Sequence, residues 1–304
     1  MPATRRHANP PDVPIAPAGG VAGRLWILAA AVLWSSSGLF AKAPIFEDWP
    51  AGERGPLLAF WRALFAGLLL APLVRRPQWR WRMVPMTVSF TGMNATYLMA
   101  MTLTTAANAI WLQSTAPLWV FLLAWLLGQG GADRRDLVPL VAGMLGVGTI
   151  LYFELARDAH LGIACGLVAG ACYAGVVLSM RSLRAEDSTW LVVLNHLVAA
   201  GLLLPYVAYL GRWPSGTQLA VLAAFGLVQM GLPYVCFARG LRALTSQEAA
   251  LVALCEPVLV PIWVLLAWGE RPAPWTLAGG ALIVGGLAWR YSQSTRGWRA
   301  RNDG

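Results

Sequence analysis

Lysine and arginine fall on alternate gaps between about ten apolar segments of this chain, and that alternation limits the possible folds more than any other feature. Hydrophobic residues make up 58% of the sequence and charged residues 12%, where a soluble domain carries about 25% charged residues. A soluble fold of 304 residues cannot hide that much apolar surface. A bilayer core about 30 Å thick needs roughly 20 apolar residues per helix, and helical hydrogen bonding is the local way to satisfy the backbone in lipid.

The sequence predicts an all-α polytopic membrane protein with spans at 24–42, 57–74, 83–103, 107–127, 137–153, 161–180, 189–210, 217–238, 249–268 and 274–289. The run from Met83 to Ala132 carries no charge and is twice the length one helix needs, so it is divided at Thr104 and Thr105. With the N-terminus placed inside, 17 basic residues fall in inner gaps and 5 in outer ones, and Arg62 lies within a span. That asymmetry puts both termini in the cytoplasm and the chain in the inner membrane. The net charge of +9 is spread over short loops on one side, so it orients the protein toward anionic headgroups and does not form a nucleic-acid groove. Arg24, the apolar run after it and Ala41-Lys42-Ala43 imitate a signal peptide. The spacing is loose, and cleavage would remove a span that has a counterpart later in the chain.

Each half carries the same pattern. At an offset of 140, Thr105, Ala109, Pro117 and Leu126 meet Thr245, Ala249, Pro257 and Leu266. At 137, Gly143 and Gly148 meet Gly280 and Gly285, and at 134 the run 66–70 meets 200–204. The offsets keep their order, and each half holds five spans, so the second is inserted upside down relative to the first. Inverted repeats around a central site are a hallmark of secondary transporters. The division expected is a disordered cytoplasmic tail at 1–23, five-helix repeats at 24–156 and 157–291, and a cytoplasmic tail at 292–304.

Over about residues 25–290 the chain resembles the EamA-type members of the drug/metabolite transporter superfamily. The likeness is carried by Leu33-Trp34-Ser35, by Phe60-Trp61-Arg62-Ala63, and by the stretches 102–127 and 243–270, the second ending in Trp268-Gly269-Glu270. The first half departs from the pattern, ending in Gly128-Gln129 where the family often has Gly-Glu. The resemblance implies ten helices in two inverted repeats and export of small metabolites, amino acids or drugs.

Glu256 is the acidic residue placed deepest in a span, beside Pro257. An ionised group there costs about 2.5 kcal/mol or more on insertion scales, so it is protonated, paired or wet. Substrate binding or proton coupling is one expectation, and a hydrogen-bonded neutral carboxyl the other. Pro117 and Pro257 each remove an intrahelical bond, leaving the carbonyls of Gln113 and Ala253 short of a donor, either as plain kinks or as polar backbone offered to a pathway. Arg62 and His196 are repeat partners, expected near opposite mouths of one pathway. Arg62 suits a gate or a substrate carboxylate unless it snorkels, and His196 suits a proton relay unless it only packs. Asn94, Trp34, Tyr97, Tyr173 and Tyr234 complete the expected substrate pathway, with Trp61, Trp111, Asn195 and Gln229 in the wider polar and aromatic inventory. Gly162, Gly166, Gly170 and Ala174 recur every four residues, a spacing for close helix contact.

No catalytic constellation, metal-ligand spacing or phosphate loop is legible, so no cofactor is expected and the energy source is an ion or solute gradient. The alternatives are an intramembrane enzyme and a membrane scaffold. A small-molecule substrate and the lipid bilayer are the partners expected, nucleic acid is not, and the sequence is compatible with a homodimer. The four cysteines lie inside spans; Cys165 and Cys172 are too far apart on one helix to bridge.

Overall fold

The computed structural model describes residues 20–126, 134–154, 159–183, 185–244 and 246–302, and among them every regular element is helical. The first span is α1 (Gly20–Trp34) and α2 (Ser37–Ala41), followed by α3 (Ala51–Leu70) and α4 (Val84–Leu103). The fourth span is split into α5 (Ala106–Gln113) and α6 (Ala116–Leu126), and α7 (Arg134–Glu154) closes the first half. The second half begins with α8 (His160–Ser182) and α9 (Ser188–Leu210), then α10 (Gly216–Ala224) and α11 (Leu232–Gly240), which are joined by a π-helical turn over Phe225–Gly231. It ends with α12 (Ser246–Ala253), α13 (Cys255–Trp268) and α14 (Pro274–Asn302).

Eight helical stretches are long and apolar enough to cross a bilayer, and this is a multi-pass membrane protein. The expected third and tenth spans, α4 and α14, are not among those eight. Both are nevertheless built into the bundle: α4 packs on α3, α8 and α9, and α14 on α7. Hydroxyl residues lower the hydropathy of α4, yet these groups cost little in an apolar setting because they bond within the helix. Thr87 donates to the Val84 carbonyl at 3.0 Å, Thr91 to Thr87 at 2.8 Å and Thr96 to Gly92 at 2.7 Å. The sequence ended the tenth span at 289, but α14 runs on to Asn302, since no proline interrupts its arginine-bearing last turns. The expected N-terminal tail up to residue 19 and the Gly128-Gln129 motif lie outside the described residues.

The corresponding helices of the two halves meet directly. Near the start of α3, Glu53 pairs with Arg212 just past the end of α9, while farther along Gly67 seats Leu197, so the two helices run antiparallel. Helices α7 and α14 also cross in opposite senses, backbone against backbone. A Cβ on Gly146 would lie 2.5 Å from the Gly279 carbonyl oxygen, and a Cβ on Gly279 would lie 2.6 Å from that of Gly146. The small-residue stripe on α8 packs as expected: Gly162 faces the Leu103 backbone, Gly166 the Leu112 side chain and Gly170 the Thr115 hydroxyl.

Candidate functional site

Three spans are interrupted at mid-depth, and each break exposes backbone that side chains then satisfy. The fourth breaks at Ser114 and Thr115, whose hydroxyls fold back onto the carbonyls of Ile110 and Leu112. The ninth breaks at Leu254, one turn before Pro257, as expected from the proline pair, and the Pro257 carbonyl accepts a 2.9 Å bond from the Trp111 indole. The first breaks at Ser35 and Ser36, which carry no proline. Ser35 donates to the Val32 carbonyl at 2.7 Å and accepts the Trp263 indole at 2.8 Å. The π turn in the eighth span is a fourth irregularity, of a kind often found at functional sites.

Around these breaks lies a buried polar cluster. Arg62, 1% exposed, donates through one terminal nitrogen to Oε1 of Gln229 at 3.0 Å and through the other to Oδ1 of Asn94, and it stands 5.2 Å over the Phe225 ring. Asn94 anchors its amide on the Ala59 carbonyl at 3.0 Å, and Gln229 anchors its own on the Trp34 carbonyl at 3.3 Å. Gly226 of the π turn meets the α3 backbone at Arg62 and Ala66, and no larger residue would let the turn approach so closely. Tyr97 shares a 2.8 Å hydrogen bond with Ser37, and Trp34 packs edge-on against Tyr234 at 5.5 Å. The His196 ring lies 4.8 Å from Phe90 and 6.1 Å from Tyr234, with Nδ1 on the Val192 carbonyl at 2.7 Å.

Glu256, in the first turn of α13, is half-buried, and among the described residues no hydrogen bond or ion pair holds it. Both Tyr97 and Tyr234 lie within electrostatic range of Glu256 and of Arg62, which places the acid beside the cluster. Of the residues singled out from sequence, the structure therefore brings together Arg62, Asn94, Tyr97, Trp34, Tyr234, His196 and Glu256. Gln113 ends α5 half-buried at the break, and Tyr173 is 42% exposed on α8.

One expectation needs correction. Arg62 and His196 do not stand at opposite mouths: both are 1% exposed, and they are close enough to interact electrostatically. The predicted second span began at residue 57, whereas α3 begins at Ala51, so Arg62 lies past the middle of a 20-residue helix. Gln229 and Ser37 are the members that the expected pathway omitted. Gln229 was visible as a polar residue in an apolar span, but nothing in the sequence marked it as a partner of Arg62.

A second polar knot clasps one end of the bundle. Lys42 pairs with Glu270 at 2.7 Å and donates to the Thr104 carbonyl at 2.7 Å, while the Glu270 carboxylate also accepts the Ala106 N–H at 2.7 Å. The clasp ties the end of the first span to the start of α5 and to the end of α13. Beside it, the Trp268 indole donates to the Leu39 carbonyl at 3.0 Å.

A bundle of apolar helices, interrupted at mid-depth around a buried polar cluster, has the form of a membrane transporter. The chain matches the EamA-like transporter family twice, over residues 21–152 and 160–291, and it belongs to that family. Named relatives agree in class. An uncharacterized transporter of Archaeoglobus fulgidus is 32% identical over 64% of this chain and 72% of its own length. The threonine/homoserine exporter RhtA of Escherichia coli K12 is 29% identical over 66% of this chain and 68% of its own. A solved crystal structure with 18% sequence identity superposes with a TM-score of 0.63 over 89% of this chain and 97% of its own, a likeness of fold alone.

Proposed function

We propose that this transporter is a secondary exporter of small organic metabolites, amino acids or related compounds or drugs, working by alternating access across the inner membrane. Ten transmembrane helices would form two inverted five-helix repeats, with both termini cytoplasmic. The observation that carries this reading is the polar cluster around Arg62, drawn from both halves where they meet, with Gln229 and Trp34 contributed by irregular spans. The antiparallel pairings of α3 with α9 and of α7 with α14 support the inverted arrangement, and the printed activity of RhtA supports export. In this orientation the Lys42–Glu270 clasp closes the outer end.

Glu256 is assigned the coupling role. It sits at the break of the ninth span, is unpaired among the described residues and neighbours the aromatic groups of the cluster. A carboxyl there couples flux to protons if its access to water changes as the protein alternates between its two faces. In reconstituted vesicles with an imposed pH gradient, Glu256→Gln should retain exchange of solute for solute and lose gradient-driven net flux. Gradient-driven flux equal to that of the parent would return Glu256 to a packing role.

A further inference from the structure

The loop between α3 and α4 reads Arg-Arg-Pro-Gln-Trp-Arg-Trp-Arg over residues 75–82, and the site around Arg62 uses none of these side chains. Pro77 fixes its own φ and keeps Arg76 out of the helical region. Arg80 is also extended, with φ −136° and ψ 141°, and helical backbone returns only in the 3₁₀ turn Trp81–Met83 that leads into α4. Three contacts fasten the loop to the start of α9 and the turn before it. The Trp190 indole donates to the Gln78 carbonyl at 2.7 Å, Arg80 pairs with the buried carboxylate of Glu186 at 3.0 Å, and the fully buried Met83 packs with Met86, Leu183, Leu191 and Leu194. An extended residue has its two neighbours' side chains on the side opposite its own. With Arg80 turned toward Glu186, the indoles of Trp79 and Trp81 therefore point together away from α9, and they are 58% and 74% exposed.

The surroundings of these indoles are apolar on one side and cationic on the other. Leu68, Leu69 and Leu73 before the loop, and Val84 and Val88 after it, are exposed aliphatic side chains at the ends of helices in a multi-pass membrane protein, where they face acyl chains. Trp79 and Trp81 follow where this surface ends, the level at which an indole settles between acyl chain and headgroup. Of the four arginines, Arg80 is matched by Glu186. Arg75 and Arg76 are exposed and have no ion pair among the described residues. The Arg82 guanidinium stands 5.9 Å over the Trp81 ring, a contact that orients it without cancelling its charge. A soluble acidic partner would meet the charge and leave the indoles in lipid. A zwitterionic lipid would cover the indoles and leave the charge, whereas an anionic phospholipid satisfies both.

We propose that this loop is a docking site for an anionic phospholipid, whose phosphate lies among Arg75, Arg76 and Arg82 and whose glycerol and upper acyl chains lie against Trp79 and Trp81. The loop joins α3, which carries Arg62, to α4, which carries Asn94, and it is fastened to α9 of the other half. The bound lipid therefore sits on a contact between the two halves. Such a site requires only that the chain cross the membrane, so its failure would leave the transport reading untouched.

The test titrates the purified full chain, in neutral detergent, with phosphatidylglycerol and with phosphatidylcholine of the same acyl chains, and counts bound lipid by native mass spectrometry. Phosphatidylglycerol should bind more tightly, and inorganic phosphate at equal concentration should not displace it. Each arginine near an anionic surface contributes a factor of about five. Arg76→Gln should therefore cut the preference for phosphatidylglycerol about fivefold, and Arg75→Gln with Arg76→Gln should cut it further. Arg271→Gln, which removes one charge from an exposed position in another loop, should leave the preference unchanged. Trp79→Ala with Trp81→Ala should weaken both lipids together and preserve their ratio. The comparison of lipids on the parent needs no variant, so a misfolded variant leaves the test intact. Equal binding of the two lipids, displacement by inorganic phosphate, or a preference that survives the double arginine variant overturns the site. An equal fall in Arg271→Gln also overturns it, since a diffuse attraction to the whole charge would then suffice.

Discussion

Replacing Glu270 with Gln is the sharpest probe of how one end of the bundle is held shut. The carboxylate accepts from Lys42 and from the Ala106 N–H, each at 2.7 Å, and Lys42 spans on to the Thr104 carbonyl. The amide keeps an acceptor for Ala106 but removes the ion pair. Hydrogen bonds to charged groups contribute about 1.5–3 kcal/mol when buried, and exposed ion pairs about 0.2–1 kcal/mol. The Lys42 and Glu270 side chains are 20% and 22% exposed, between these limits. Solvent screening brings the expected loss to about 1–2 kcal/mol, a factor of roughly 5–30 in the closed-to-open ratio at this end. The assay is the labelling rate of Ser37→Cys, in a background lacking the four native cysteines, by a membrane-impermeant thiol reagent applied from outside. That rate should rise by the same factor in Glu270→Gln. Glu53→Gln, which removes the more exposed pair with Arg212, should leave it unchanged. An unchanged rate in Glu270→Gln would mean that apolar packing, and not the clasp, keeps this end closed.

Other expectations follow from the same geometry. A cysteine at Arg271 should react with an impermeant reagent from outside and one at Arg76 only from inside; external labelling at Arg76 would overturn the proposed orientation. Gly55→Ala would bring its Cβ to 2.6 Å from the Met99 Cα, a backbone contact that cannot yield cheaply. Its detergent-solubilised protein should be less stable by about 1–3 kcal/mol, read as a lower thermal midpoint. Ser215→Ala removes the reciprocal cap between Ser215 and Gln218 at the start of α10. It should cost about 1 kcal/mol of stability and leave transport selectivity intact.

The spans were legible because lipid imposes a length and a composition on them; the side that the arginine asymmetry assigns to each gap belongs to the proposed orientation. The two proline breaks were legible because Pro117 and Pro257 recur in register, and a missing N–H has one local consequence. The break at Ser35 and Ser36 gave no such sign. Serines serve equally well inside an apolar helix by bonding back to the preceding turn, and only the Trp263 indole across the bundle reveals why this pair is open. The π turn was hidden for a related reason: one extra residue in a turn leaves composition unchanged, and Gly226 gains meaning only from the α3 backbone beside it. The depth of Arg62 was misread because Glu53 and Arg54 looked like loop residues. In the fold Glu53 pairs with Arg212 and Arg54 bonds the Glu47 and Trp49 carbonyls, so α3 extends through them.

The crossing of α7 and α14 resembles an isologous interface at the level of the surface: at the repeat offset of 137, residues 142–150 of one helix meet their counterparts 279–287 on the other, although Gly146 and Gly279 are not themselves counterparts. Gly146 and Gly279 guard one another's carbonyls, and the Cβ of each would also strike an isoleucine of the other helix, Ile283 and Ile150 respectively. In a homodimer a single mutation would alter both copies of the surface at once; within one chain the two copies of the surface can be changed separately. Gly146→Ala and Gly279→Ala should each push the helices apart, and the double variant should cost clearly less than the sum of the two, since the first separation makes room for the second methyl. The duplicated chain thus keeps the self-complementarity of a symmetric pair while leaving each half free to diverge, as Glu270 has from its counterpart Gln129.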